Sequence, residues 1–338
     1  MVMKKIERFI VYGVLIALFA IAIPFDYKIS AGLYHPNNII GRIFEILGEV
    51  PAYLVATFGA ALVALYHPKP SREVHWTLSW FFMLAAVGIA GYSGWHTAGL
   101  ISRNFMPGMG TMMKLVFTGA VAVIVFGVAL FFAITVGKDQ EREGFTFGLY
   151  LVLTIGVTVL LMQGLKMLWL RPRFRTLAAL NETGMIDSIE AFWLPFYHPQ
   201  FFTSFSKYQA GGAYGFTTLG INETMKILGI SKWSMEEFYS FPSGHTMNTV
   251  ACISLMGLPA VFPALREKKK FPDIFRYCMY GYAAIVAFTR VLRGAHCATD
   301  VLAAFLIGTV IVDLGWTFFY QRFLVKRVVK PGPFIAAW

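Results

Sequence analysis

Eight long apolar stretches, separated by shorter polar segments, set the pattern of the chain. They lie near 9–25, 48–66, 77–97, 113–137, 146–170, 243–264, 274–292 and 299–320. A helix needs about 17–25 apolar residues to cross a bilayer, so each stretch approaches spanning length. The pattern predicts an all-α polytopic membrane protein with about eight transmembrane helices. The second stretch opens Gly48-Glu49-Val50-Pro51, and proline suits a first helical turn. One connection, 171–242, is long, aromatic and polar, with Trp193-Leu194-Pro195-Phe196-Tyr197-His198-Pro199 and Gly211-Gly212-Ala213-Tyr214-Gly215. A connection of this length has a function or structure of its own, and its aromatic content argues against disorder. Short interfacial helices are expected near 222–230 and 233–239.

Composition places the chain in the same class. It is 57% apolar and 14% charged, against roughly 25% charge in soluble domains, and its mean hydropathy is +0.62. The net charge of +11 does not point to nucleic acid, because no basic tract flanks a soluble module. Most of it sits at helix ends, where Lys and Arg set topology. Lys4, Lys5 and Arg8, then Lys69 and Arg72, Lys138 and Arg142, Arg266 and Lys268 to Lys270, and Arg322 to Lys330 all fall on one side. That side is expected to be cytoplasmic, with both termini. Lys166, Arg171, Arg173, Arg175, Arg290 and Arg293 fall on the other side and break the trend, which implies another task. The first apolar run lacks a small-residue cleavage site and is expected to be a retained helix. Cys252, Cys278 and Cys297 form no zinc or disulfide pattern. The sequons at Asn181 and Asn222 matter only in a eukaryotic secretory pathway, to which nothing else points.

The candidate chemistry lies in three clusters. Lys166 to Phe174 closes the fifth stretch. Phe241-Pro242-Ser243-Gly244-His245-Thr246 opens the sixth. Arg290 to Asp300 joins the seventh to the eighth. Alternating spans put all three at one membrane face, and ionisable groups at a membrane edge are costly unless they face a cavity or partner. Lys and Arg suit phosphate oxygens. Ser243 and Gly244 at a helix start offer a hydroxyl and backbone N–H groups to an anion. Two histidines allow one nucleophile and one general acid. His296 and Asp300 are four apart, so the carboxylate could hold one ring nitrogen and leave the other free. With one carboxylate among many bases the clusters suit neither Mg²⁺ nor Zn²⁺, so no cofactor and no metal are expected.

The clusters resemble the signature of the type 2 phosphatidic acid phosphatase superfamily: Lys, six residues, Arg-Pro; Pro-Ser-Gly-His; Ser-Arg, five residues, His, three residues, Asp. Lys166 and Arg173 keep the first gap, Pro242 to His245 match fully, and Arg290, His296 and Asp300 keep both later spacings. Phe174 stands where the family has Pro, and Thr289 where it has Ser. Arg171-Pro172 offers a competing register; Arg173 is preferred because the gap fixes the distance between two phosphate ligands. The resemblance covers about 146–320 and none of the first 140 residues.

The resemblance implies a helical bundle with a catalytic core over 141–325; the apolar and basic pattern places about four N-terminal transmembrane helices over 1–140 before it and a cytoplasmic tail, 326–338, after it. The resemblance implies that His296 is the nucleophile, Asp300 orients it, and His245 protonates the leaving group and later activates water. Lys166, Arg173, Ser243, Gly244 and Arg290 would bind the phosphoryl oxygens. The expected function is hydrolysis of a membrane lipid phosphate, of the phosphatidic acid, phosphatidylglycerol phosphate, undecaprenyl diphosphate or lipid A type, at the non-cytoplasmic face of a bacterial cell membrane. Phosphotransfer to a lipid or sugar acceptor is an alternative, and non-catalytic lipid transport or binding is another. Outside the motifs, His96 and His198 are expected to be packing or interfacial residues, and Trp169 part of an aromatic belt. Arg171, Arg175 and Arg293 are left open between phosphate, headgroup and solvent.

Overall fold

The computed structural model describes residues 5–67, 72–137, 140–197, 216–230, 232–233, 235–262, 265 and 271–319. Lys4, Lys69, Lys138, Arg266, Lys268, Lys269, Lys270, Arg322 and the tail 326–338, on which the expected orientation partly rests, lie outside the described residues, as do His198 and the Gly211–Gly215 run. The described residues are helical, with no strand among them. The long helices are α1 (Lys5–Leu33), α3 (Val50–Tyr66), α4 (Arg72–Asn104), α5 (Thr111–Gly137) and α6 (Glu141–Trp169), with the short α2 (Ile39–Leu47) between the first two. After these come α7 (Phe174–Glu182), α8 (Thr218–Leu228), α9 (Gly244–Ala251), α10 (Leu258–Val261), α11 (Phe271–Leu292) and α12 (Ala298–Phe319).

Among the described residues, six helical stretches are long and apolar enough to cross a membrane. The sixth predicted stretch differs in form. It is α9, a 3₁₀ segment Cys252–Gly257 and α10 in succession. Pro259 in the first turn of α10 has no N–H to continue the ladder, and Gly257 lies so close to Trp316 that a Cβ there would meet its ring at 2.3 Å. Met247, Val250, Ala251, Cys252 and Ile253 are fully or almost fully buried. This segment is apolar because protein surrounds it, whereas α5 turns Val116, Val123, Ile124 and Phe131 outward as a lipid-facing surface.

Small residues set the closest crossing. Helix α3 buries Ala52, Ala56, Gly59, Ala60, Ala61 and Ala64, and its Gly59 meets Gly148 of α6 with almost no space between backbones. A Cβ on Gly148 would lie 2.7 Å from the Gly59 carbonyl oxygen. Such contacts drive helix association where no hydrophobic force separates helix from lipid. The core continues through Phe147, Tyr150, Leu151, Val312 and Trp316, with Tyr150 edge-on to Trp316 at 5.5 Å.

The described parts of the long connection, 171–197, 216–230, 232–233 and 235–242, form a cap over one end of this bundle. Expected helices near 222–230 and 233–239 correspond to α8 and to a 3₁₀ turn Met235–Phe238. Leu177, Leu180, Ile186, Phe216, Ile221 and Phe238 form a second, smaller core beneath them. Under that cap the ends of α4, α6 and α11 meet the starts of α3, α9 and α12.

Candidate active site

His296 sits in the turn between α11 and α12 and is almost fully buried. Gly294 makes the turn possible, with φ +60° and a Tyr34 ring atom 2.6 Å from where its Cβ would be. The His296 Nδ1 is 2.5 Å from the Ser240 carbonyl oxygen. A carbonyl only accepts, so Nδ1 carries the hydrogen and Nε2 keeps its lone pair. Asp300 does not make the contact that the four-residue spacing suggested: its Oδ2 lies 4.0 Å from Nδ1. That oxygen instead accepts from the Cys297 N–H at 2.8 Å and the Ser240 hydroxyl at 2.5 Å. The first is a helix-start cap, one half of a capping box. Asp300 therefore reaches His296 through Ser240, which presents its hydroxyl to the carboxylate and its carbonyl to the imidazole.

The basic residues divide into two groups. Arg171 is fully engaged: Nη1 donates to Asp300 at 2.6 Å and Thr299 at 2.9 Å, Nη2 to Asp26 at 2.5 Å and Nε to the Leu194 carbonyl at 2.7 Å. It ties α1, the cap and α12 together, and its guanidinium also lies 4.7 Å from the Trp193 ring centre. Arg175 is held by Glu237, with Nη2 at 3.0 Å, and Thr176 donates to the same carboxylate at 2.8 Å. Burial raises the Glu237 pKa, but Arg175 and Arg173 outweigh it and hold the group at about 2.

Arg173 and Arg290 keep donors in reserve. Arg173 makes one long contact to Glu237, Nη1 at 3.4 Å, and its buried Nε has no partner. Arg290 touches Glu45 through Nη2 at 3.3 Å, while its Nε and Nη1 are buried and unpartnered. Buried donors without acceptors are costly, and a phosphoryl group is the acceptor that this chemistry suits. Lys166, in the last turn of α6, approaches the start of α9 because residue 244 is glycine. A Cβ there would lie 3.1 Å from its Nζ. Ser243 caps α9, accepting from the Thr246 hydroxyl at 2.9 Å, so its own hydrogen is free to donate. Its N–H meets the Asp300 carbonyl at 3.2 Å, fixing the start of α9 to that of α12. The His296 pKa is pushed well below its ordinary value, first by burial and then by the charges of Arg173, Arg290, Lys166 and His245. The fold thus brings Lys166, Arg173, Ser243, Gly244, His245, Arg290, His296 and Asp300 to one end of the bundle.

Four acidic residues of the site were missed by the motif reading. Glu45 of α2 is buried among Arg103, Arg175 at 3.6 Å, and Arg290 and Arg293 at 3.3 Å each. One carboxylate facing four guanidinium groups leaves the site positive. Glu49, just before α3, meets His245 Nδ1 at 3.1 Å and His96 Nε2 at 2.9 Å. Asp26 takes Arg171, and Glu237 takes Arg175. Glu45 and Glu49 had a signal: both are carboxylates within an apolar region, the anomaly that first marked His296. Arg293, left open on sequence, donates to Glu45 and to Asn104 at 3.1 Å. Among the described residues no group of three or more His, Cys, Asp or Glu is placed to hold a metal ion.

The profile of the PAP2 superfamily matches residues 147–324, a little more than half of the 338-residue chain. No curated protein and no solved structure matches it. The matched segment contains all eight motif residues and none of Asp26, Glu45, Glu49 and His96.

Proposed function

The chain belongs to the PAP2 superfamily, and from that membership and the geometry of the site we propose that it hydrolyses a membrane lipid phosphate through a phosphohistidine on His296. The general class is phosphatase-type chemistry on lipid phosphate, in a membrane protein of apolar helices. What carries the finer reading is the unpartnered Nε of Arg173 and the unpartnered Nε and Nη1 of Arg290, whose charges reach a buried His296 with a free Nε2.

His296 Nε2 attacks phosphorus, the P–N bond forms and the P–O bond to the lipid breaks. His245 gives a proton to the departing oxygen. Water then attacks the phosphoryl group, His245 takes its proton, and the P–N bond breaks to release phosphate. Arg173, Arg290, Lys166, the Ser243 hydroxyl and the Gly244 N–H stabilise the charge spread over the non-bridging oxygens, the main catalytic need of phosphoryl transfer. Burial of His296 serves this chemistry, because the surrounding cations keep the ring neutral and nucleophilic. Asp300 acts at one remove, by fixing Ser240. In the proposed orientation the site faces the non-cytoplasmic side of a bacterial cell membrane, at headgroup depth.

Purified protein in detergent should release inorganic phosphate from at least one of phosphatidic acid, phosphatidylglycerol phosphate, undecaprenyl diphosphate and lipid A, with EDTA present. His296→Ala should lower the rate by at least about 10³-fold without changing the thermal unfolding of the protein. Full dependence on added divalent metal, or retained turnover in His296→Ala, would overturn the proposal.

A further inference from the structure

We propose that Glu49 is the positioning residue for His245, and that His96 and Tyr53 lock Glu49 in place, so that the N-terminal helices complete the general acid. This rests on the phosphatase reading above and adds residues that the family segment does not contain.

His245 has two acceptors. Nδ1 is 3.1 Å from Glu49 Oε1, and Nε2 is 3.0 Å from the carbonyl oxygen of Glu45. The carboxylate is the stronger acceptor and claims the Nδ1 hydrogen. Nε2, held by a neutral carbonyl, is the nitrogen left to deliver a proton. Glu49 is itself fixed from the far side. The His96 Nε2 lies 2.9 Å from its Oε2, and the Tyr53 hydroxyl donates to the same oxygen at 3.0 Å. Tyr92 stacks on the His96 ring with centroids 6.0 Å apart, and Tyr53 meets that ring edge-on at 6.1 Å. The carboxylate is thus held by one oxygen and offers the other to His245. A carboxylate that fixes one imidazole nitrogen sets the tautomer and stabilises the charge the ring carries while it holds the proton.

Helix α9 carries no carboxylate that could do this. Its side chains around His245 are Ser243, Thr246, Met247, Asn248 and Thr249, and Thr249 spends its hydroxyl on the Gly48 carbonyl at 2.7 Å and its own helix. That bond ties α9 to the residue next to Glu49, so the distance between Glu49 and His245 is set by backbone as well as side chain. The proton balance is simple. In the first step the leaving alkoxide takes the Nε2 proton, and the ring becomes neutral with its hydrogen still on Nδ1, donated to Glu49. In the second step Nε2 takes a proton from the attacking water, and the starting state returns.

A group that acts through the general acid affects a substrate only as far as its leaving group needs a proton. The test uses a short-chain phosphatidic acid and its phosphorothiolate analogue, in which sulfur replaces the bridging oxygen and departs as a thiolate without protonation. Both are assayed in detergent with the full-length chain. Glu49→Gln should lower kcat on the oxygen ester on the order of 10²-fold, with KM little changed, and should lower kcat on the sulfur ester far less. His96→Gln and Tyr53→Phe, which keep Glu49, should show smaller losses of the same selectivity. Glu49→Asp should restore part of the oxygen-ester rate. Equal losses on the two esters in all of these variants would make Glu49 a purely structural residue, and unchanged kinetics on both would remove it from the mechanism; either result overturns the inference. His296→Ala serves as the separate check. If it retains turnover of both esters, the phosphohistidine reading itself fails, whatever Glu49 does.

Discussion

Glu237 shows how much a single buried carboxylate can carry at this site. It holds Arg175 and Thr176, touches Arg173, and accepts the Arg173 N–H on its own backbone carbonyl at 3.0 Å. Its folded pKa, about 2, lies below its ordinary 4.5. A depressed carboxylate stabilises the fold fully above its unfolded value and loses that contribution as pH falls toward the folded one. By this linkage the contribution is about 3 kcal/mol, present above pH 4.5 and eroded between about 4.5 and 2. Glu237→Gln should therefore melt at lower temperature at neutral pH, and its melting temperature should depend less on pH than wild type below pH 4.5. Equal acid sensitivity of the two proteins would refute the assignment. The spacing of His296 and Asp300 would put them on one helical face, but His296 lies in the turn before α12, which starts at Ala298. The spacing could not show that Asp300 turns back to the Cys297 N–H at its own helix start, or that Ser240, 56 residues away, takes the imidazole. Local capping wins because it satisfies a helix-terminal donor, which no pattern between positions 296 and 300 discloses. Arg171 and Arg173 were likewise two candidate registers on paper, and only the distant Asp26 and Asp300 distinguish a fully paired guanidinium from one with a donor to spare.

At the scale of elements, hydropathy is a good guide wherever a helix faces lipid and a poorer one where it faces protein. Helices α1, α4, α5, α6 and α12 contain the apolar stretches that announced them, because length and apolarity are what a bilayer demands. The stretch 243–264 met the same criterion for a different reason. Its described residues are mostly buried in protein, so it need not be one continuous helix, and Pro259 and the contact of Gly257 with Trp316 interrupt it. Helix α2 went unread: at nine residues it is too short for a spanning signal, although Asn38 caps it by accepting the Gly41 N–H at 2.9 Å. The crossing of α3 and α6 is where an element-level change should be felt most. Gly148→Val would press a branched side chain on the Gly59 carbonyl and on the Leu62 Cβ, also 2.7 Å from the added Cβ. Overpacking of this kind costs about 1–3 kcal/mol or more. The variant should unfold several degrees below wild type in detergent, whereas Gly156→Val, where a Cβ meets nothing within 4 Å, should not. Matched melting temperatures would mean that the two backbones are not in contact.

For the whole molecule, the division into N-terminal helices and a catalytic core describes the motifs better than it describes the site. Every motif residue lies within 147–324, yet Asp26, Glu45, Glu49, His96 and Arg103 come from α1 to α4 and their connections, and they pair with Arg171, Arg290, His245 and one another. Motif spacing is legible because each cluster is continuous in sequence. Partnerships such as Glu49 with His245 are not, because they depend on how helices far apart in the chain dock side by side. In the proposed reaction a phosphoryl group passes to one buried imidazole under a roof of unpaired guanidinium donors. Its most direct test is rapid acid-free quenching of the protein during turnover of a ³²P-labelled lipid phosphate in EDTA. Label is expected on His296, stable in alkali and lost in acid as a phosphoramidate should be, and absent from His296→Ala. Label on another residue, or turnover by His296→Ala at the wild-type rate, would contradict it.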